Sequence, residues 1–328
     1  MSTPAARWYL AGLAVCLAAC GGGNDDAPGG ADVAMPAEPI VVYLDEPGEA
    51  VLRPVFDAFT EETGLRVTVR EADAEKNLAD VIDNTGAPPA DVLITDNVQA
   101  IWRAGDEGAL RRLDGETLPD ALPGLYRDPD RQWLALGLNS LLIVKAARSD
   151  LQAADYADLA DERFAGRLCL TGSARPENRA LIAHYIDELG VRRAERLVRR
   201  WLANLARPPM SSADEVLAAI RTGVCDFSIL SNASLGELEV DGGVGAAYAG
   251  ASISIAYGAG LARHARYPES ATTLLRWLAG RDGQRAFAAA TDRVSAYDYP
   301  VEANPGPLVQ LGWLDEEARL LAERAGWR

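Results

Sequence analysis

Gly223–Glu237, GVCDFSILSNASLGE, is the stretch on which the fold turns. Cys225, Phe227 and Ile229 alternate with Asp226 and Ser228, so Cys225–Leu230 predicts a strand with at least one buried face. Ser212-Ala213-Asp214-Glu215 has the spacing of a capping box and opens a helical stretch, Asp214–Thr222, that runs straight into this strand. The strand then opens into a polar loop, Ser231-Asn232-Ala233-Ser234. Helix followed by strand is the unit of an α/β sheet, and open α/β sheets hold ligands just beyond the carboxyl ends of their strands. The loop stands where a ligand would be held.

Outward from this stretch the same unit recurs. Ile40–Leu44 is a β-rich apolar run, a buried first strand. Val51, Leu52, Val55, Phe56 and Phe59 follow at helical spacing, and Gly64 ends that helix. Leu65–Arg70 alternates as a strand, Leu78–Asn84 is helical, and Asp91–Ile94 is a third strand whose successor Thr95-Asp96-Asn97 caps a helix. Trp133–Ala146 is apolar for too long to be one ordinary strand, and reads as a strand that leaves a first lobe and continues into a second. Beyond it, Arg167–Thr171 predicts a strand, Asn178–Leu189 and Val191–Leu205 helices, and Ile253–Leu261 a strand that crosses back. Ser270–Leu278, Gln284–Ala290 and Glu316–Ala325 are further helices. The expected fold class is α/β, a two-lobe, class II-like binding fold hinged on two crossing strands. The expected first lobe is 38–138 plus 262–306, and the second 139–261 plus 307–328. Such a clamp holds its ligand between the lobes.

The 328 residues suffice for two ordinary cores, and a hydrophobic content of 48% marks a globular chain. A formal net charge of −16 argues against nucleic acid as a partner. At the N-terminus, Arg7 precedes an apolar run, Trp8–Ala19, too short to span a membrane as a helix. Leu17-Ala18-Ala19-Cys20 resembles a bacterial lipoprotein lipobox. That resemblance implies a signal peptide over 1–19, cleavage before Cys20 and a lipid on Cys20; an ordinary cleaved signal peptide is the alternative. Residues 20–37 lack periodicity and read as a flexible tether. Gly21, where sorted lipoproteins carry Asp for the inner membrane, points by the same resemblance to the outer membrane. Cys169 and Cys225 are the remaining cysteines of the mature chain, in a compartment where disulfides persist. A bond between them is expected, with two buried free thiols as the alternative.

Several short patterns then occur in a characteristic order. They are Pro89-Ala90-Asp91-Val92-Leu93-Ile94-Thr95, Trp102-Arg103-Ala104 with Gly108, Arg127-Asp128-Pro129 with Trp133, and Asn204-Leu205-Ala206-Arg207-Pro208. Gly223-Val224-Cys225-Asp226, Trp277-Leu278-Ala279-Gly280 with Gly283-Gln284, and Tyr299-Pro300-Val301 complete the series. From Ile40 to about Pro305 the chain resembles periplasmic solute-binding proteins of the ferric-iron ABC-transporter class. Some members carry cysteines at the positions of Cys169 and Cys225, which supports the disulfide. The resemblance implies a monomer that delivers a small-molecule or ion ligand to an inner-membrane ABC permease, with no cofactor and no catalysis.

The iron ligands of that class do not carry over. Its site uses phenolate oxygens, hard donors for a hard trivalent cation, yet its tyrosine pair falls on Ala233 and Ser234. Its His or Tyr after the first strand falls on Pro47 or Gly48, and its first-lobe Glu on Asp96. Tyrosines used by some members fall on Lys145 and Glu177, and arginines on Glu46 and Asn139. No metal site is therefore expected from the usual ligands, although a rebuilt iron site is an alternative. What the strand ends offer instead is Asp45 and Glu46, Asp96 and Asn97, Asn139 and Ser140, Glu177 and Asn178, and Ser231, Asn232 and Ser234, with Tyr257 on the returning strand. Each could equally serve a turn or a cap. As a set they predict a cleft for a small solute, cationic or polyhydroxylated rather than anionic. A non-transporting envelope lipoprotein that uses the clamp as a sensor or protein partner is the alternative function. Enzyme readings find no support: His184 and His264 are the only histidines, and no triad order, phosphate-binding loop or His–Cys metal spacing occurs.

Overall fold

The computed structural model describes residues 38–45, 48–115, 118, 122–235, 243–250, 253–298 and 308–328. The expected signal peptide, Cys20 and tether lie outside the described residues, as does Glu46. Strand β1 (Ile40–Leu44) is followed by α1 (Glu49–Thr63), β2 (Val67–Glu71), α2 (Ala74–Asp83), β3 (Val92–Thr95) and α3 (Val98–Asp106). β1 lies between β2 and β3, parallel to both. Buried Asp91 pins this corner: its carboxylate accepts the Val41 N–H at 2.9 Å and the Arg266 N–H at 2.7 Å.

β4 (Trp133–Ala146) is one 14-residue strand, as its largely apolar run, with Lys145 as the one charged residue, leads one to expect. Its first half, Trp133–Ser140, pairs antiparallel with β7 (Ser254–Leu261), which in turn pairs antiparallel with β3. Its second half, Leu141–Ala146, pairs antiparallel with β5 (Phe227–Ser231) on one side and β6 (Val244–Tyr248) on the other. The strand order is β2-β1-β3-β7-β4-β5, with β6 also on β4. A bulge between Leu136 and Leu138 separates two registers, and Gly137 there has φ 47°, a left-handed conformation that side chains resist. β4 is thus common to both sheets, the arrangement of a two-lobe fold.

Around the second half pack α4 (Pro176–Leu189), α5 (Val191–Ala203) and α6 (Ala213–Arg221), while α7 (Pro268–Ala279) and α8 (Arg281–Thr291) cover the first. Leu142, Val144, Leu217 and Ile220 form a cluster of their own under α6, with the Cys169–Cys225 disulfide inside it at a Cα–Cα distance of 6.0 Å. The chain closes with α9 (Leu308–Trp313) and α10 (Asp315–Ala325). α9 lies on α3, where a Cβ at Gly312 would sit 2.4 Å from Trp102. α10 lies on α4, tied by Arg179 Nε to Asp315 Oδ1 at 2.7 Å.

Several local expectations need correction. Arg167–Thr171 forms only isolated bridges, because its backbone bonds alternately to two neighbours: Cys169 N–H to Phe227, but Leu168 C=O to Ala206 and Leu170 C=O to Met210. Cys225 precedes β5 instead of opening it. The capping box is half formed: Ser212 accepts the Glu215 N–H, but Glu215 turns to Ser211. β6 was not expected, since Gly245, Ala246 and Ala247 have weak strand preference. Short α9 was not expected either.

Candidate functional site

The expected polar residues fall into two groups. The first borders a cleft of about 840 Å³, with Asp45, Asp96 and Asn97 at the ends of β1 and β3 on one side. Across it stand Arg175, Glu177 and Arg179 at the start of α4, with Glu71, Asp73 and Glu75 along the rim. Asp45 is buried, and its carboxylate accepts the Asp96 N–H at 2.9 Å and the Thr95 hydroxyl. Burial, and then the negative charge of Asp96, push the Asp45 carboxyl up to about 7 despite those two donors. Asn97 is the N-cap of α3, its side-chain oxygen accepting the Gln99 and Ala100 N–H groups. Gln99 of α3 donates from Nε2 to the carbonyl of Pro176, the first residue of α4, at 3.2 Å. Glu177 meets Arg175 at 3.3 Å through Oε1, while its Oε2 is buried without a hydrogen-bond partner among the described residues.

The second group is a seam where β4 meets the loop after β5. Asn232 Oδ1 accepts the Ser140 N–H at 2.9 Å. The Asn139 amide, oriented to satisfy its neighbours, donates to Asn232 Oδ1 at 3.3 Å and accepts from Arg293 Nη1 at 2.9 Å. The hydroxyls of Ser231 and Ser234 lie 2.9 Å apart. Arg293 also covers the Tyr257 ring at 4.1 Å, and that ring packs edge-on against Phe287. Burial raises the Tyr257 phenol; Arg293 opposes the rise and the Asp96 and Asp45 charges add to it, so Tyr257 links the seam to the acidic pair.

One expectation for the cleft needs correction. Asn178 does not line it: its amide donates to the Thr171 carbonyl and hydroxyl and to the Gly172 carbonyl, locking α4 onto the preceding loop. Lys145, on which a tyrosine of some members falls, pairs with Phe227 at the far end of the β4–β5 ladder, whereas Ser231 pairs with Leu141 at the cleft end. The cationic groups near the site are Arg175, Arg179 and Arg293, which sequence reasoning missed. Arg175 had a signal in the Arg-Pro-Glu that opens α4; Arg293, in an irregular segment after Asp292, had none.

No tyrosine is among the described residues lining this cavity, although Tyr257 lies within electrostatic reach of Asp45 and Asp96. The phenols of Tyr43, Tyr156 and Tyr297 donate to backbone carbonyls, and that of Tyr185 to Asp155. No group of three His, Cys, Asp or Glu among the described residues is placed to hold a metal ion.

This frame, with a polar cleft at the strand ends, matches a known family. Residues 40–290 match the family model described as bacterial extracellular solute-binding protein, and the chain belongs to that family. The family binds solutes and is not an enzyme class. Over 265 residues the chain is 25% identical to iron uptake protein A1 of Synechocystis, covering 76% of this chain and 72% of the relative. It is also 25% identical to an Fe(3+)-binding periplasmic protein of Serratia marcescens over 304 residues, 87% of this chain and 86% of the relative. A solved Trichodesmium structure (IdiA, FutA), in complex with iron and citrate ligands, superposes with a TM-score of 0.79 at 22% identity. That match covers 89% of this chain and 100% of the other.

Proposed function

We propose that this chain is the lipid-anchored capture component of an ABC importer, holding a small cationic or polyhydroxylated solute between its lobes instead of ferric ion on tyrosines. The lobes would divide near Asn139, within β4. One observation carries the reading: carboxylates from both sides of the cleft, Asp45 and Asp96 against Glu177, share one partly dry space with more acids than bases on its wall. A cation there relieves their mutual repulsion, and its Coulomb gain exceeds that in water. The membrane partner would be an inner-membrane permease, and a lipid on Cys20 would hold a monomer in the periplasm, on the outer membrane by the Gly21 pattern. The relatives' names make ferric ion the competing cargo.

The experiment is a low-salt thermal-shift screen of amines, divalent cations, sugars, small anions and ferric citrate against wild type, Asp45→Asn and Glu177→Gln. Stabilisation by an amine or divalent cation, weakened in both variants, is expected. A coloured one-to-one ferric complex, or stabilisation by a small anion that survives in both variants, would overturn the reading. Co-purification with an envelope protein and no response to any solute would favour the sensor alternative.

A further inference from the structure

A second cavity, of about 360 Å³, opens in the second lobe at the end of β4 opposite the cleft. Its size falls in the range of small-molecule pockets. Ile143 and Lys145 project from one face of β4, while Leu142, Val144 and Ala146 project from the other into the cluster around the disulfide. Phe227 of β5 and Ala153 of the facing loop complete the apolar wall. The space exists because β6 presents small residues here. A Cβ built on Gly245 meets nothing within 4 Å, and Ala247 adds only a methyl group.

Among the described residues Lys145 is the sole charged one on this wall, with Gln152 as the other polar side chain. It forms no ion pair with any described residue, and no described residue of the wall carries a carboxylate. An ammonium beside apolar surface, in a chain of net charge −16, is the reverse of the acidic cleft. We infer that this cavity is a second binding site, for a small amphipathic monocarboxylate whose apolar body lies against Ala153 and Ala247, above the buried Ile143 and Phe227, and whose carboxylate meets Lys145. One positive charge and one amide suit a single carboxylate head, and a dianion would leave a charge unpaired beside apolar walls. The inference is independent of what the cleft binds.

The probe is octanoate at up to millimolar concentration, titrated calorimetrically into the mature protein, with octanol as its uncharged counterpart. Saturable one-to-one binding of octanoate, tighter than octanol, is expected. Lys145→Gln should weaken octanoate by about tenfold, the equivalent of about 1.4 kcal/mol, while leaving octanol unchanged. Gly245→Leu, which places side chain in open space, should abolish both. Asp45→Asn, in the cleft, should leave both unaltered. Absence of saturable binding in wild type, or octanoate affinity undiminished in Lys145→Gln, overturns the site. Loss of octanoate binding in Asp45→Asn with Lys145 intact would assign the ligand to the cleft and also overturns it.

Discussion

At the seam, Asn139, Ser140 and Asn232 direct their hydrogen bonds to one another and to Arg293; at the cleft, Asp45 and Glu177 cannot do the same. The reason is chemical. An amide carries donors and acceptors together, so two amides can join a backbone N–H and a guanidinium in one network. An ionised carboxylate only accepts, and a neighbouring carboxylate adds repulsion instead of a partner. Asp45 therefore draws on a hydroxyl and a backbone N–H and still has its proton affinity raised, and Glu177 keeps one oxygen without a donor among the described residues. Polar residues at neighbouring strand ends thus divide into those whose hydrogen bonds satisfy one another and those whose charges oppose one another.

The largest expected effect comes from the frame alone. The Cys169–Cys225 bond spans 56 residues, and its replacement by Cys169→Ser/Cys225→Ser should cost about 2–4 kcal/mol in urea unfolding. Solute-induced stabilisation should persist in that variant, since the bond lies in the α6 cluster and not on the cleft wall; loss of the ligand response would blur the division. Next comes Asn232→Ala, which strands the buried-strand N–H of Ser140 and frees the Asn139 amide. A loss of about 1–3 kcal/mol is expected, and a stability within about 0.5 kcal/mol of wild type would show the seam to be dispensable.

Asp45→Asn is the smallest effect and carries the opposite sign. With a folded pKa of about 7 against 3.8 for the free group, folded Asp45 keeps its proton where the unfolded chain has released it. The folded state binds more protons in that window, so its stability falls as pH rises from about 4 to about 7. Asp45→Asn should remove this part of the slope, about 4 kcal/mol by the size of the shift. The amide has one acceptor oxygen where the carboxylate has two, so the net gain of the ligand-free protein at pH 8 is smaller, on the order of 1 kcal/mol. Cation affinity in wild type should instead climb through pH 7 as Asp45 ionises. Parallel stability–pH profiles for variant and wild type would contradict this account of Asp45.

The same chemistry decides how much the sequence discloses. β1, β3, β4 and β7 were legible because apolar runs of their lengths admit little else, and the length of Trp133–Ala146 alone implied a shared strand. The Asp45–Asp96 pair was legible from its place after two parallel strands. Asn178 was misread because an asparagine after a strand looks alike whether it meets a ligand or locks a helix, and only its three carbonyl and hydroxyl acceptors tell. The place of Lys145 was not legible, because direction along an antiparallel ladder decides which end of β4 faces the cleft. Arg293 reaches the seam from an irregular segment far along the chain, and no local pattern encodes such an approach.

β4 also has a mechanical meaning. A pin joint lets two bodies turn on a sliding surface, but one strand woven into both sheets offers no such surface. Displacement of one sheet against the other has to be absorbed as torsion along the strand itself, so the joint behaves as a flexure. The ladder is interrupted at the bulge around Gly137, where Phe287 and Arg293 pack so closely that a Cβ would lie 3.2 Å from each. A solute that drew the two walls together would have to deform this strand, and its close-packed glycine leaves little slack for it.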